Sequence, residues 1–268
     1  MRQLMSGKEA TVYVVRCGDD IRCAKVYKEA NERSFKQAVA YQEGRRVKNS
    51  RQARAMEKGT RYGRKMAEEV WQNAEVDALY RLAAAGVRVP TPFICFEGVL
   101  LMELVTDADG NAAPRLDAAS FDADLARQWH AVLMRQVVLM LLAGVIHGDL
   151  SEFNILIDAE GPVIIDLPQA INAAGSSVAA DMLARDVDRL TQFFSTAAPE
   201  LAGRQYGREI WALYQAGVLT PDSAAALTGQ IAKPTKAPDV GAVLHEIELA
   251  KFELEEEEEQ RRQASTRS

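Results

Sequence analysis

The chain has little that would tie it to a membrane, a disulfide framework or a transition-metal centre. Its 268 residues include only three cysteines (Cys17, Cys23 and Cys95) and three histidines. An odd trio without metal-ligand spacing makes neither a disulfide set nor a zinc site, so reduced thiols in a cytoplasmic setting are expected. Three scattered histidines argue against a His-rich metal site. The longest apolar run, Val137 to Ile146, is ten residues, too short to cross a bilayer. Met1 to Ala10 is polar and unlike a secretory leader, so no membrane partner is expected.

What remains is an ordinary globular composition, 48% hydrophobic and 26% charged, long enough for a sizeable core in one or two domains. The net charge of −6 conceals two opposed segments. From Arg45 to Lys65 nine Lys or Arg stand against the single Glu57, a local charge of +8. Near the other end Glu253 and Glu255 to Glu259 form an acidic run. The stretch 29–64 is charged, weakly periodic and interrupted by Gly44, Gly59 and Gly63, and it reads as a mobile insertion. Its charge suits nucleotide phosphate, an acidic protein or RNA; a solvated loop with no partner is the plainer alternative. Tyr41 and Tyr62 are too few for base stacking.

Residues 5–15 read as a loop entering a strand, and a second strand runs from Ile21 to Tyr27 across the Cys17-Gly18-Asp19-Asp20 turn. Lys25 sits in that second strand among Ala24, Val26 and Tyr27, where it either snorkels or meets a counter-charge. From about Ala67 to Ala85, Trp71, Ala74, Ala78, Leu79 and Leu82 recur at helical steps, with Glu75 inside the apolar stripe. A carboxylate on a buried helix face is costly unless paired, and Lys25 is its natural partner. Gly86 closes that helix, and Pro90 and Pro92 prevent its continuation. Phe93 to Phe96 and Val99 to Val105 read as a hairpin turning at Glu97-Gly98. Composition then changes from β-rich to mostly helical. The chain divides accordingly into an N-lobe (1–104), a C-lobe (105–252) and an acidic, polar tail (253–268). C-lobe helices are expected near Ala119 to Ala143, Ala179 to Phe194, Arg208 to Ala216, Asp222 to Ile231 and from about Val240 with Asp239 as N-cap. Thr220 and Pro221 suit the N-cap and first position of the fourth.

The most informative stretch is 144–170. Two apolar runs, Asn154 to Ile157 and Pro162 to Ile165, flank the turn Asp158-Ala159-Glu160-Gly161, which predicts a β-hairpin. Asp149 and Asn154 precede its first strand and Asp166 ends its second, so folding brings two carboxylates and an amide together. That donor set suits Mg²⁺, a hard cation that completes its shell with phosphate oxygen and water. The Asp-to-Asn spacing of five, followed by an Asp on the next strand, is the pattern of phosphoryl-transferring kinases. A nucleotide between the lobes would then set its adenine edge against the backbone of Met102, Glu103 and Leu104.

With these residues in view the chain resembles the RIO family of atypical protein kinases. Ser6-Gly7-Lys8-Glu9-Ala10-Thr11-Val12-Tyr13 is similar to that family's phosphate loop, which lacks the three-glycine pattern. Ala24-Lys25-Val26-Tyr27 resembles its ATP-lysine strand. His147-Gly148-Asp149-Leu150-Ser151-Glu152-Phe153-Asn154 matches its catalytic loop, and Ile165-Asp166-Leu167-Pro168-Gln169 resembles its metal-binding loop. Met5 departs from it, since a small residue such as Thr is expected there. The likeness covers about 5–200.

The resemblance implies an α+β, bilobal protein-kinase-like fold trimmed of its activation segment, with ATP, Mg²⁺ (Mn²⁺ the alternative metal) and serine/threonine phosphorylation, the chain itself among the acceptors. Asp149 would orient the acceptor hydroxyl and take its proton. Asn154 and Asp166 would hold the metal, Lys25 the α- and β-phosphates, and Glu75 would fix Lys25. Ser6, Gly7 and Lys8 would cover the phosphates. His147 is expected to be scaffold rather than base, and Asp186 or Asp188 to cap the catalytic loop. The absence of a winged helix before the phosphate loop points to the branches lacking one, or to a bacterial type. Contact with a ribosomal particle or RNA through the basic insertion is implied as well. Two alternatives stay open: an ATP-driven assembly switch without protein substrate, and a small-molecule phosphotransferase like the aminoglycoside or choline kinases.

Overall fold

Strands and a single helix build the described part of the first half of the chain. The computed structural model describes residues 1–7, 10–28, 74–174 and 176–230. Lys8, the insertion 29–64, the start of the first helix, the helix expected from Val240 and the tail 253–268 lie outside them. Five antiparallel strands form one sheet in the order β1-β2-β3-β5-β4. These are β1 (Arg2–Ser6), β2 (Ala10–Cys17), β3 (Asp20–Tyr27), β4 (Pro92–Phe96) and β5 (Val99–Glu103). The first is a correction to the sequence, which suggested a loop there. Every residue of β1 is exposed, so it carries no apolar alternation, and only its pairing with β2 makes it a strand.

Both hairpin turns fall where the residues put them. Cys17 pairs with Asp20 around Gly18-Asp19. Phe96 pairs with Val99 around Glu97 (φ 47°) and Gly98 (φ 76°), the doubly left-handed turn that matches strand twist. Helix α1 covers 74–84 of the described residues. It ends in a Schellman cap: Val87 N–H donates to Leu82 O (3.0 Å) and Gly86 N–H to Ala83 O (3.1 Å), with Gly86 at φ 75°. Leu82 and Val87 are both buried, which supplies the apolar contact such caps favour.

The second half is helical around a small hairpin. Helix α2 (Ala123–Leu142) begins later than the sequence suggested, because Asp122 takes the N-cap, accepting Leu125 N–H at 2.9 Å. It ends before Gly144 at φ 73°. Then come β6 (Val145–Ile146), β7 (Ile155–Asp158), β8 (Gly161–Ile164) and β9 (Ile171–Asn172). β7 pairs with β8, and β6 with β9. Helices α3 (Ala179–Phe194) and α4 (Tyr206–Gln215) follow. The helix expected from Asp222 is instead a short 3₁₀ turn, Pro221–Ala226, opened by Thr220 N–H donating to Ser223 Oγ at 2.9 Å. Three alanines favour helix, but Leu227 is already extended and stops it.

Leu133, Leu141, Ile146, Ile155, Ile164, Leu190 and Phe194 are fully buried in one core that joins α2, α3 and the hairpin. Each such side chain contributes about 1.5–3 kcal/mol relative to exposure. Arg88, just after α1, ties the sheet half to this core. Its N–H donates to Gln136 Oε1 (2.8 Å), its carbonyl accepts Ile164 N–H (2.8 Å), and its guanidinium meets Asp158 at 2.6 Å. Among the described residues no helix is long and apolar enough to cross a membrane.

Candidate active site

Strand β3 places Lys25 on the inner side of the sheet, opposite Val12 on β2 and Leu100 on β5. Helix α1 brings Glu75 to it: Lys25 Nζ lies 2.5 Å from Glu75 Oε1, and the glutamate is only 4% exposed. The pairing expected from the apolar stripe therefore holds. The ammonium also lies 2.8 Å from Asp166 Oδ1, which the sequence did not suggest. Burial opposes the charge on Lys25, but the two carboxylates outweigh it and hold the amine protonated. Burial likewise pushes Asp166 up, yet the Lys25 charge and hydrogen bond, with His147, hold its carboxyl below the usual value.

Asp166 has φ 66°, one of two non-glycine residues in the left-handed region among those described; the other, Glu97, sits in a hairpin turn. Such a conformation costs on the order of 1–3 kcal/mol and persists where the surroundings impose it. Here β8 ends just before it, and the chain must turn to aim the carboxylate back at Lys25.

The catalytic-loop octet is wired internally. His147 is buried; its Nε2 lies 3.0 Å from Ile165 O, and its Nδ1 accepts Asp149 N–H at 3.3 Å. Through these two contacts the imidazole braces the loops that carry Asp149 and Asp166, a scaffold position as expected. Asn154 Nδ2 donates to Asp149 O at 2.9 Å, and its Oδ1 has no protein partner among the described residues. Asn154 O accepts Ile165 N–H at 3.0 Å, so the two ends of the hairpin close on each other.

Helix α3 grips the same loop from behind. Asp186 Oδ2 accepts Gly148 N–H at 2.7 Å, the capping role considered for it, and Arg185 donates to Gly148 O at 2.5 Å. Burial pushes the Asp186 carboxyl up against the opposing pull of His147, Arg185 and backbone N–H groups. Gly148 is required at this spot. At φ 84°, a Cβ there would lie 2.5 Å from Gln169 O and 2.7 Å from Met182 Cε. One turn on, Arg189 Nη1 lies 2.8 Å from Asp149 Oδ1. Sequence reasoning missed both arginines. Their signal was a step of four on one helix face beside Asp186.

A narrow cavity lies at the lysine end of the site, and neither Asp149 nor Asn154 lines it. Lys25, Glu75 and Asp166 make its polar end, and Leu79, Pro90, Leu100, Met102, Ile165 and Leu167 its apolar walls. Of the three residues assigned to an adenine edge, Met102 lines it. The Glu103 amide already donates to Thr91 O at 2.9 Å, and its carboxylate accepts from Thr91. Leu104 follows β5 and does not line the cavity. Ser6 and Gly7 lie at the tip of the β1–β2 hairpin, near the end of β3. There Lys28 Nζ reaches Ser6 Oγ (3.2 Å) and Gly7 O (2.8 Å), a contact the sequence did not suggest.

Comparison with known proteins gives the arrangement a lineage. A model of the RIO domain matches residues 11–206, which includes the strand of Lys25, the loop 147–154 and Asp166 but not β1, Ser6 or Gly7. The RIO-type serine/threonine-protein kinase Rio1 of Haloferax volcanii is 32% identical over 75% of this chain and 64% of its own length. Its counterpart in Methanocaldococcus jannaschii is 30% identical over 70% of this chain and 60% of its own. The human serine/threonine-protein kinase RIO1 is 30% identical, but only 32% of it is covered. This chain thus spans less than two thirds of the length of these relatives. The crystal structure of the Rio2 kinase from Chaetomium thermophilum, a complex with ADP, Mg²⁺ and phosphoaspartate, superposes with a TM-score of 0.51 at 22% identity, over 84% of this chain and 67% of that one. That likeness establishes a protein-kinase-like fold. With the family model covering both the lysine strand and the catalytic loop, the chain belongs to the RIO domain family.

Proposed function

We propose that the protein transfers the γ-phosphoryl group of ATP to serine or threonine hydroxyls, its own included. The observation that carries this is the Lys25 ammonium held between Glu75 and Asp166, one carboxylate from each half of the fold. The Rio1 relatives are named serine/threonine-protein kinases, and the Rio2 relative is a complex with ADP and Mg²⁺, which supports the reading.

The residues fit a hard divalent cation. Asn154 Oδ1 and Asp166 Oδ2 are each without a protein partner among the described residues. Two such oxygens with phosphate and water make the shell Mg²⁺ prefers, Mn²⁺ being the alternative. When bound, the metal neutralises phosphate charge. In this proposal Lys25 contacts the α- and β-phosphates, and Glu75 keeps it aimed. Ser6, Gly7 and Lys8 close over the phosphates, and the segment Met102 to Leu104 borders the base. Asp149 orients the acceptor hydroxyl and takes its proton as the new O–P bond forms and ADP departs.

Incubation with γ-labelled ATP and Mg²⁺, wild type beside Asp149→Asn, tests this. Label on serine or threonine that falls by orders of magnitude to a residual rate in the variant, with nucleotide binding retained, supports it. Full transfer by the variant refutes the role of Asp149.

The link from Asp166 to α3 is short and favours a second reading, an ATP-driven switch without a protein substrate. Phosphate release that exceeds label transfer and is stimulated by ribosomal particles would select it. We assign the basic segment 45–65 to RNA or an acidic partner, with RNA affinity falling steeply as salt rises. Affinity that does not change with salt would remove that assignment.

A further inference from the structure

The catalytic-loop octet 147–154 contains no Lys or Arg. The cation beside Asp149 comes instead from α3, as Arg189. The carboxylate of Asp149 is 42% exposed, so packing alone does not fix its rotamer. Its Oδ1 is held by Arg189 Nη1, and its Oδ2 has no protein partner among the described residues. Arg189 is well placed for this. One turn earlier the same helix is pinned to the loop through Arg185 on Gly148 O and Asp186 on Gly148 N–H. The three contacts bracket Gly148 and Asp149, so the helix holds the loop at both residues.

We propose that Arg189 is a positioning residue for phosphoryl transfer: it fixes Asp149 through Oδ1 so that Oδ2 faces the acceptor hydroxyl. The inference rests on the kinase reading above. A planar guanidinium with several donors can orient a carboxylate in a way a single point charge cannot. Misplacement of a reacting group by about 1 Å costs on the order of a hundredfold in rate, so the loss of this contact falls on turnover rather than on nucleotide affinity.

Steady-state phosphoryl transfer should be compared for wild type, Arg189→Gln, Arg189→Lys, Asp149→Asn and the double variant Asp149→Asn/Arg189→Gln, beside nucleotide affinity and thermal midpoint. Arg189 is 44% exposed, so its replacement buries no orphan charge and the fold should hold. Arg189→Gln should lower kcat about ten- to hundredfold with KM for ATP within about twofold. Arg189→Lys should recover part of that loss, and Arg189→Gln should add nothing in the Asp149→Asn background. An unchanged kcat overturns the proposal. So does an equal loss in both backgrounds, or a loss accompanied by an equal rise in KM for ATP. If the wild type binds ATP but labels nothing, the kinase reading fails and takes this inference with it; transfer that ignores position 189 overturns the inference alone.

Discussion

At the scale of single residues, the site depends on charges whose positions rather than identities are decisive. Lys25 is the hub. Glu75→Gln leaves the buried ammonium with Asp166 alone, and breaking a buried pair typically costs about 3–5 kcal/mol. Because one partner remains, a loss near the lower end is expected from urea unfolding, together with a raised KM for ATP. An unchanged midpoint would mean that the pair contributes no stability. Gly148→Ala should lower both the thermal midpoint and phosphoryl transfer, since the new methyl meets Gln169 O and Met182 Cε at a positive φ. His130 is a second kind of residue, buried in the helical core at 3% exposure and 3.1 Å from Thr191 Oγ1. Burial lowers its pKa from 6.5 to about 4. The unfolded chain binds this proton below about pH 6.5, whereas the folded chain waits until about pH 4. Its contribution to stability is therefore complete above pH 6.5 and is lost as pH falls to 4, on the order of 3 kcal/mol. Unfolding free energies of wild type and His130→Gln between pH 7 and 4 should diverge by that share; parallel curves would exclude it.

At the scale of elements, α3 matters more than its sequence suggests. Its apolar stripe of Leu183, Val187, Leu190 and Phe194 was legible from periodicity, and the helix spans the residues that pattern assigned. Its other face, with Arg185, Asp186 and Arg189, is where the catalytic loop is held. Asp186→Ala orphans the Gly148 N–H, a loss of about 1–3 kcal/mol. It should also depress kcat more than KM for ATP, because the loop carrying Asp149 loosens while the lysine site does not. Equal effects on both would mean that the helix braces the whole cleft. The hairpin β7–β8 and the Schellman end of α1 were legible too, since turn residues and periodicity act locally. Strand β1 was not, as an exposed edge strand leaves no pattern, and the 3₁₀ turn at Pro221–Ala226 was over-read because alanine propensity is a weak guide.

At the scale of the molecule, nucleotide binding should couple the two halves of the fold. Lys25 and Glu75 come from the sheet half, and Asp166, Asn154 and Asp149 from the helical half. A ligand bound only by the folded chain stabilises it by about 2.7 kcal/mol at a hundred times its Kd. Mg²⁺ with ATP should thus raise the thermal midpoint of the whole protein in one cooperative step. Lys25→Met should abolish most of that rise. A shift confined to one of two resolved transitions would show that the halves unfold separately and that the lysine does not link them.

The sequence alone marked the candidate residues for the chemistry proposed above. Asp149 and Asn154 precede one hairpin and Asp166 follows it, so spacing and turn type bring its two ends near each other with little help from the rest of the chain. It also marked Glu75 as a buried charge needing a partner, because helical periodicity exposes a carboxylate in an apolar stripe. Only the tertiary structure decided the remainder. The direct bond from Lys25 to Asp166 spans 141 residues of separation, and that from Arg189 to Asp149 spans 40. Contacts at such separations depend on how helices and sheet pack, which no local pattern records. A residue's type states what it can bond, and packing states which of the available partners it meets.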